Sequence, residues 1–567
     1  MGRGPLVLAG LLVVLYVGTF GGLDDGMVLG NDAIPYAVQL AGEGEGHGPS
    51  PHHLLFHPLA GFVSALLSPL AHESLSLRGP LGLAMTAQVL VSALGGALAA
   101  AAFLWSVRRL MGPAATRGLA GIGPWALTLT LALSAGHWLY ASVGETYLPA
   151  IAAQTALLGL ALVTRLELGG EPGQRRLVSM ALLLLLAVLL RQDSVLVVVA
   201  VALLLRPRPA LLVIGTAGFA SLALYAGAWL SIDTGTGFLP WLRGLADTGL
   251  WGGGLDATRL QVSGTLSLAA LAYPIYYAGQ ASLTGGLSLE QGLLELALGL
   301  APWFFLALAV VAARWPRGKG QGTTEREGAG RERMAVVALL TLLLLRLTFF
   351  TWWQPGNLEY HAGHLAPLLL LVALLLRPTR SEPSPGAALV PRLLLLATAT
   401  TLAGNWLTLI EPNRTRGMHE VAGQALERVA PGGLVLSLDR LGHYANLRAA
   451  GTTARGIEPP PVLLDASDVA SGLDLTELDS LRRAVDHTLG RLGGDPDGPP
   501  AVIATRDRIL PPRFEHAPWP LDWSRLPGTL GPDDPGHDGG MNLLIGTRRA
   551  LPLDPTAGLE SGLWELR

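Results

Sequence analysis

LVSMALLLLLAVLLRQDSVLVVVAVALLL, residues 177–205, is an apolar run broken once, by Arg191, Gln192, Asp193 and Ser194. As a single helix it would extend about 43 Å at ~1.5 Å per residue, well beyond the ~30 Å hydrocarbon core of a bilayer. Arg175 and Arg176 precede it and Arg206 and Arg208 follow it, so the positive-inside rule assigns both ends to the cytoplasmic side. The run therefore reads as two short helices that enter and return, carrying Arg191 and Asp193 to the opposite face, where a charged substrate would meet them. The competing reading is one long tilted helix from which Arg191 snorkels. Ionisable side chains at membrane depth are expensive, and their default interpretation is a working site.

Composition points the same way. Of 567 residues, 50% are hydrophobic and only 14% charged, too apolar a balance for a soluble enzyme of this size. A net charge of −3 leaves no nucleic-acid footprint, and the absence of cysteine excludes disulfides, thiolate zinc sites and cysteine nucleophiles. Lys319 is the only lysine, so arginine carries nearly all the positive charge, a usage associated with G+C-rich bacterial genomes. Residues 5–20, PLVLAGLLVVLYVGTF, follow Arg3 without a close small-residue cleavage site and read as an uncleaved first span.

Arginine placement predicts the topology. Apolar stretches recur at about 81–107, 118–138, 146–164, 209–231, 289–313, 335–351, 364–376 and 393–411. Segments 108–117, 165–176, 206–208, 314–333 and 377–392 are rich in Arg, whereas 22–77, 136–146 and 352–363 contain none. The alternation predicts about 11 spans, a cytoplasmic N-terminus and an external C-terminus in a bacterial cytoplasmic membrane. It also predicts that 265–285 lies along the external interface instead of crossing. From 412 onward HEVAGQALERV, GGLVLSLDR, ELDSLRRAVDHTLGRL and PPAVIATRDRIL alternate helix with strand and predict a small α/β domain. The expected organisation is thus a helical membrane domain, 1–411, with a first external loop at 22–80, followed by an external domain, 412–567.

The external loops hold the acidic and histidine residues. In GNDAIPYAVQL, Asp32 stands where it would cap a helix with Pro35 in its first turn and Tyr36 one turn along. As a carboxylate just outside the bilayer it is also placed to accept a proton from a hydroxyl. PHHLLFHPLAGF supplies His52, His53 and His57. The i, i+4 spacing of His53 and His57 suits a metal, but Pro58 disfavours helix at His57 and no third ligand is dictated. Phosphate or sugar contact is the better use of that loop. AGHWLYASVGETYLPA places Glu145 in S-x-x-E spacing after Ser142, a capping box, among His137, Trp138, Tyr140 and Tyr147, a mixture suited to carbohydrate. TFFTWWQPGNLEYHAGHLAP gathers an interfacial aromatic belt around Glu359, Tyr360, His361 and His364, and the acidic and histidine members have no anchoring role to explain them.

GNDAIPY, PHHLLFHP, SVGETY, LLRQDS and PGNLEYHAGHLAP, in that order and on one side of the membrane, together resemble the C-type (GT-C) membrane glycosyltransferases, with the protein-mannosyltransferase-like and other bacterial branches nearest. The resemblance covers the arrangement of residues 1 to about 411. It implies a polyprenyl-phosphate-linked sugar as donor and a glycan, lipid or protein hydroxyl as acceptor. Asp32 and Glu145 would be the catalytic carboxylates. Tyr36, His52, His53, His57, Tyr147, Arg191, Asp193, Glu359, Tyr360 and His361 would be substrate-binding. The first loop also carries Asp24 and Asp25, so the base is one of three carboxylates, with Asp32 preferred for its neighbours Pro35 and Tyr36. The sequence provides no Walker-type or G-x-G-x-x-G phosphate loop, and a divalent cation has no ligand set to support it. Two other classes stand beside this reading: a multi-pass transporter or lipid flippase, and a non-catalytic envelope-assembly protein.

Overall fold

The computed structural model describes residues 3–19, 53–70, 79–112, 121–231, 237–243, 255–276, 289–314, 326–353, 358–377 and 388–410, and beyond them the strands of a small sheet with a few isolated residues. The chain divides into two units. Met1–Phe20, Glu45–Leu66 and Ala87–Asn413 form the first; Gly21–Gly44, Leu67–Thr86 and Arg414–Arg567 form the second.

The described helices begin with α1 (Arg3–Thr19), α2 (Phe56–Leu67), α3 (Gly79–Met111), α4 (Ile122–Ala132), α5 (Ala135–Ser142) and α6 (Tyr147–Leu168). Next come α7 (Gln174–Leu190), a 3-10 turn (Gln192–Leu196) and α8 (Val197–Leu204), then α9 (Pro207–Leu230), α10 (Phe238–Arg243) and α11 (Ala257–Ala269). The series closes with α12 (Leu289–Arg314), α13 (Arg326–Trp353), α14 (Leu358–Leu375) and α15 (Val390–Asn405). Six of them, α3, α6, α9, α12, α13 and α14, contain stretches long and apolar enough to cross a bilayer. The chain is a multi-pass helical membrane protein. Among the described residues, shorter apolar helices such as Ile122–Ala132 and Gln192–Leu204 stand beside these six.

Burial separates core from lipid-facing helices. α6 and α14 are largely buried, whereas most of α9 and α12 is exposed at the surface of the bundle. Leu211, Phe219 and Leu230 of α9 are correspondingly exposed, as expected of side chains that meet hydrocarbon. Core helices approach closely: a Cβ at Gly95 of α3 would lie 2.4 Å from the backbone nitrogen of Pro149 in α6, so only glycine permits this crossing.

Residues 174–204 go in and come back. Gly169, at φ +63°, terminates α6, and Gly170, at φ +89°, accepts a backbone hydrogen bond from Arg206 at 3.1 Å. That contact brings the chain just before α7 beside the chain just after α8. A Cβ at Gly170 would sit 2.9 Å from the Leu204 carbonyl, in a conformation that L side chains avoid. Pro207 then opens α9 in its first turn, where a missing N–H costs nothing.

A second joint holds two interrupted helices together. The chain breaks between α4 and α5, where Ser134 caps α5 by accepting the His137 N–H. It breaks again after α11. Backbone bonds run from Gly136 to Ala270 (2.8 Å) and from Ala135 to Leu271 (3.3 Å). Asn405, wholly buried at the end of α15, donates to the carbonyls of Leu133 and Leu271, both at 2.9 Å, and accepts the Tyr273 N–H at 2.8 Å. One amide thus satisfies backbone groups that the apolar interior would otherwise leave unpaired. At the other end of α11, Arg259 reaches the terminal carbonyls of α13, Thr351 at 3.0 Å, Trp352 at 2.9 Å and Trp353 at 3.2 Å. Of the segment 265–285, read as interface-lying, residues 277–285 lie outside the described residues, and part of the remainder packs into the bundle. Leu266 and Ala269–Ala272 are buried inside the bundle, because the small residues of LAALA fit against the α4–α5 break.

In the second unit five strands, β1 (Leu434–Leu436), β2 (Val462–Leu464), β3 (Val502–Thr505), β4 (Ala550–Pro552) and β5 (Leu563–Leu566), form a sheet of order β2-β1-β3-β5-β4. β1 is parallel to both β2 and β3, with Val435 opposite Leu463 and Ile503; β5 runs antiparallel to β3 and β4. Pro552 lies on β4, an edge strand, where a missing donor is tolerated. The two runs read as strands contain β1 and β3; the helices expected beside them lie outside the described residues.

Replacing Asn405 by Ala should cost about 2–4 kcal/mol, since buried backbone groups lose their partner. Thermal unfolding in detergent checks this, with the exposed Leu402→Ala expected to change stability by less than about 0.5 kcal/mol. Equal melting temperatures for wild type and Asn405→Ala would contradict the role given to this joint.

Candidate functional site

At the tip of the re-entrant pair the backbone of Arg191 turns extended (φ −157°, ψ 126°), which ends α7 and starts the 3-10 turn. The Arg191 side chain is buried. Its Nε donates to Asp193 Oδ1 at 2.7 Å, and its guanidinium carbon lies 3.6 Å from the centre of the Tyr147 ring and 5.3 Å from that of Tyr360. Tyr147 is the first residue of α6 and Tyr360 stands in the first turn of α14, so two core helices present ring faces to one cation. Tyr360 is itself stacked on Phe350, 5.0 Å between centroids and 12° from parallel. One amino group of Arg191, Nη1, is buried without a hydrogen-bond partner.

The second oxygen of Asp193 faces Arg346 of α13, with Nη2 at 3.9 Å; both side chains are buried. Arg346 Nη1 donates to Gln154 Oε1 of α6 at 3.0 Å, and Gln154 Nε2 donates to Ser194 Oγ at 2.7 Å. A closed path therefore runs from α13 through α6 to the turn that carries Arg191. Arg346 and Gln154 are absent from the residues singled out in the sequence, and Ser194 stands there only as part of the break at 191–194. A signal for Arg346 existed: an isolated arginine within TLLLLRLTFF is an ionisable group inside an apolar span.

Glu145 and Glu359, both buried, lie within electrostatic reach of Tyr140 and Tyr147, which links them to the Arg191 cluster. The capping box expected of Ser142 and Glu145 does not form. Ser142 Oγ donates instead to the Trp138 carbonyl at 2.8 Å, within α5, and Thr146 precedes α6 without a side-chain cap. His361 and His364 share Ser267 Oγ, at 2.9 and 3.0 Å from their Nδ1 atoms. Ser267 Oγ donates its proton to the Ser263 carbonyl at 2.9 Å, which leaves its two lone pairs to accept an Nδ1–H from each imidazole.

His53 reaches the same region by another route. Its Nδ1 is 3.3 Å from the Leu190 carbonyl, and the Leu55 N–H donates to the Leu189 carbonyl at 3.0 Å, so residues 53–55 adjoin the end of α7. His57 falls in the first turn of α2 together with Pro58; the proline is accommodated there because first-turn N–H groups have no partner within the helix. No group of three or more metal-binding side chains occurs among the described residues. Asp24, Asp25, Asp32, Tyr36 and His52 lie outside the described residues. Of the expected site residues, the structure brings together Arg191, Asp193, Tyr147 and Tyr360, with Glu145 and Glu359 in reach, His53 alongside, and His361 joined through Ser267 to His364.

No protein-family profile matches the sequence, and no curated protein matches it. Among solved structures, the chain aligns with ArnT from Cupriavidus metallidurans bound to undecaprenyl phosphate at 13% identity and a TM-score of 0.48, over 89% of this chain and 94% of that one. The apo state of the same protein aligns at 12% identity and a TM-score of 0.37, over 89% and 93%. At this distance, function is read from the residues of this chain itself.

The ring contact gives a direct test. A desolvated cation–π pair is worth about 2 kcal/mol, so Tyr147→Leu should lower stability by roughly that amount, while Tyr147→Phe, which keeps the ring, should lose well under half of it. Thermal denaturation measures both, and a Phe variant as unstable as the Leu variant would show that the ring face does not hold Arg191.

Proposed function

We propose that this protein is a membrane glycosyltransferase that moves a sugar from a polyprenyl-phosphate donor to an acceptor hydroxyl on the external face of a bacterial cytoplasmic membrane, with inversion. The observation that carries the reading is the buried Arg191 guanidinium, held by Asp193 and two tyrosine faces, with one amino group left unbonded. A guanidinium keeps its proton and bonds phosphate oxygens in a fork, so such a group suits an anion. The resemblance of the loop motifs to the GT-C enzymes supports the same assignment.

In the proposed reaction an acceptor oxygen attacks the anomeric carbon while the Asp32 carboxylate takes its proton. The bond from that carbon to the phosphate oxygen breaks, and its electron pair leaves with the phosphate. A phosphodiester becomes a monoester and gains negative charge, which Arg191 meets in the transition state. A single displacement inverts the anomeric centre. Glu145 and Glu359, set among Tyr140, Tyr147 and Tyr360, are suited to accept hydrogen bonds from sugar hydroxyls while the rings cover apolar sugar faces. His53 and His361 bind at the margins of the same site, with Tyr36, His52 and His57 contributing from the first loop. In this reading the N-terminus is cytoplasmic, about eleven segments cross, and residues 412–567 form an external α/β domain.

The test is transfer of radiolabelled sugar from a panel of polyprenyl-phosphate sugars in membranes bearing wild type, Asp32→Asn or Arg191→Ala. Loss of a general base is expected to slow transfer at least about 10²-fold, and loss of the charge that meets the leaving group by a similar factor. Undiminished transfer in both variants would remove the assigned roles. Folded wild type that consumes no lipid-linked sugar would move the reading to transport.

A further inference from the structure

Arg346 is a charge buried in a spanning helix, and nothing in the mechanism above uses it. Its surroundings are specific. Nη2 faces Asp193 Oδ2 at 3.9 Å, Nη1 is bonded to Gln154, and Nε is buried without a partner. Opposite it stands Gly363 of α14, where a Cβ would lie 2.0 Å from Nη2. Asp193 therefore serves two guanidiniums with one carboxylate, Arg191 through Oδ1 and Arg346 through Oδ2.

A lone buried Arg–Asp pair is self-satisfied and has little reason to take up an anion. Two guanidiniums sharing one carboxylate are not in that position, because the carboxylate cannot neutralise both. We propose that Arg346 is a positioning residue for anion capture: by holding Asp193 Oδ2 it leaves Arg191 with less than a full counter-charge and keeps the Arg191 amino group Nη1 open for a phosphate oxygen. The inference rests on the anion-binding reading of Arg191 but assigns a role to a residue that would not touch the ligand. Glu145 and Glu359 act on the neighbouring tyrosines and stay unchanged in every comparison below, so the comparison isolates these three side chains.

The experiment compares wild type, Arg346→Gln, Asp193→Asn, the double variant Arg346→Gln/Asp193→Asn, and Gly363→Ala. Binding of undecaprenyl phosphate in nanodiscs is read by native mass spectrometry, and binding of inorganic phosphate by the shift in melting temperature. In Arg346→Gln the carboxylate closes on Arg191 alone, and affinity should fall about tenfold or more. In the double variant Arg191 has no carboxylate to satisfy it, and most of that affinity should return. Gly363→Ala displaces the Arg346 guanidinium without changing any charge and should weaken binding in the same direction as Arg346→Gln. A merely structural Arg346 would make the double variant no better than the single one, and that result overturns the proposal. If Arg346→Gln does not fold, Gly363→Ala decides: weaker binding sustains the proposal, and unchanged binding overturns it. Wild type that binds inorganic phosphate but not undecaprenyl phosphate would sink the lipid-donor reading while leaving the role of Arg346 to be judged on phosphate. Wild type that binds neither overturns both.

Discussion

Asp193 stands between two buried guanidiniums, and much of the membrane-embedded fold is arranged to make that tolerable. Moving a charge out of water costs several kcal/mol unless partners surround it. Here those partners come from separate elements: Arg191 and Ser194 from the re-entrant tip, Gln154 and Tyr147 from α6, Arg346 from α13, and Tyr360 from α14. Each must hold its register for the others to be satisfied. A slip of one turn in α13 would carry Arg346 about 5.4 Å along its axis and leave Asp193 with Arg191 alone. The polar cluster thus fixes which faces of the core helices meet, something that interchangeable leucines specify only loosely.

Backbone polarity imposes the companion constraint. Where helices break inside an apolar layer, every freed carbonyl and N–H needs a partner, and the chain supplies them from a distance in sequence. Asn405 serves the breaks at Leu133 and Leu271, Arg259 closes the end of α13, and the Tyr16 hydroxyl donates to the Ala132 carbonyl at 3.0 Å. Breaks that look like loops on a hydropathy plot are in this way packed joints, buried as deeply as the helices they interrupt.

What the sequence discloses follows from the range of the signal. The re-entrant pair at 177–205 is legible because length, apolar run and flanking arginines are local, and Arg191 and Asp193 stand out against leucine. Tyr147, Glu145, Tyr360 and Glu359 are legible as residue types that lipid does not explain. Arg346 is legible on the same ground, as a lone charge within TLLLLRLTFF, but its partners are not. Gln154 and Ser194 are ordinary residues whose importance lies in whom they meet, up to 192 positions away along the chain. The burial of Ala269–Ala272 is hidden for a related reason: small residues read as weakly apolar on a hydropathy scale, yet they are what allows one backbone to lie against another. In the second unit β1 and β3 are as short as β4 and β5 but lie in uninterrupted apolar runs, whereas β4 ends on Pro552 and β5 carries Glu565, which hides them.

The two legs of the re-entrant pair are short. The outgoing leg, α7, has 17 residues and reaches about 25 Å at ~1.5 Å per residue. The return combines five residues of 3-10 turn with eight of α8, about 22 Å in all. Neither covers a ~30 Å hydrocarbon layer, so a tip that starts from one surface stops short of the other. In the proposed orientation Arg191 would be stationed beneath the outer boundary, at a depth that water-soluble sugar phosphates would enter only at great cost. An anion that carries its own hydrocarbon tail is already dissolved in that layer and has only its headgroup to lower. For the proposed reaction, solubility would sort the donors before any side chain touches them, and the length of two helices would be the filter.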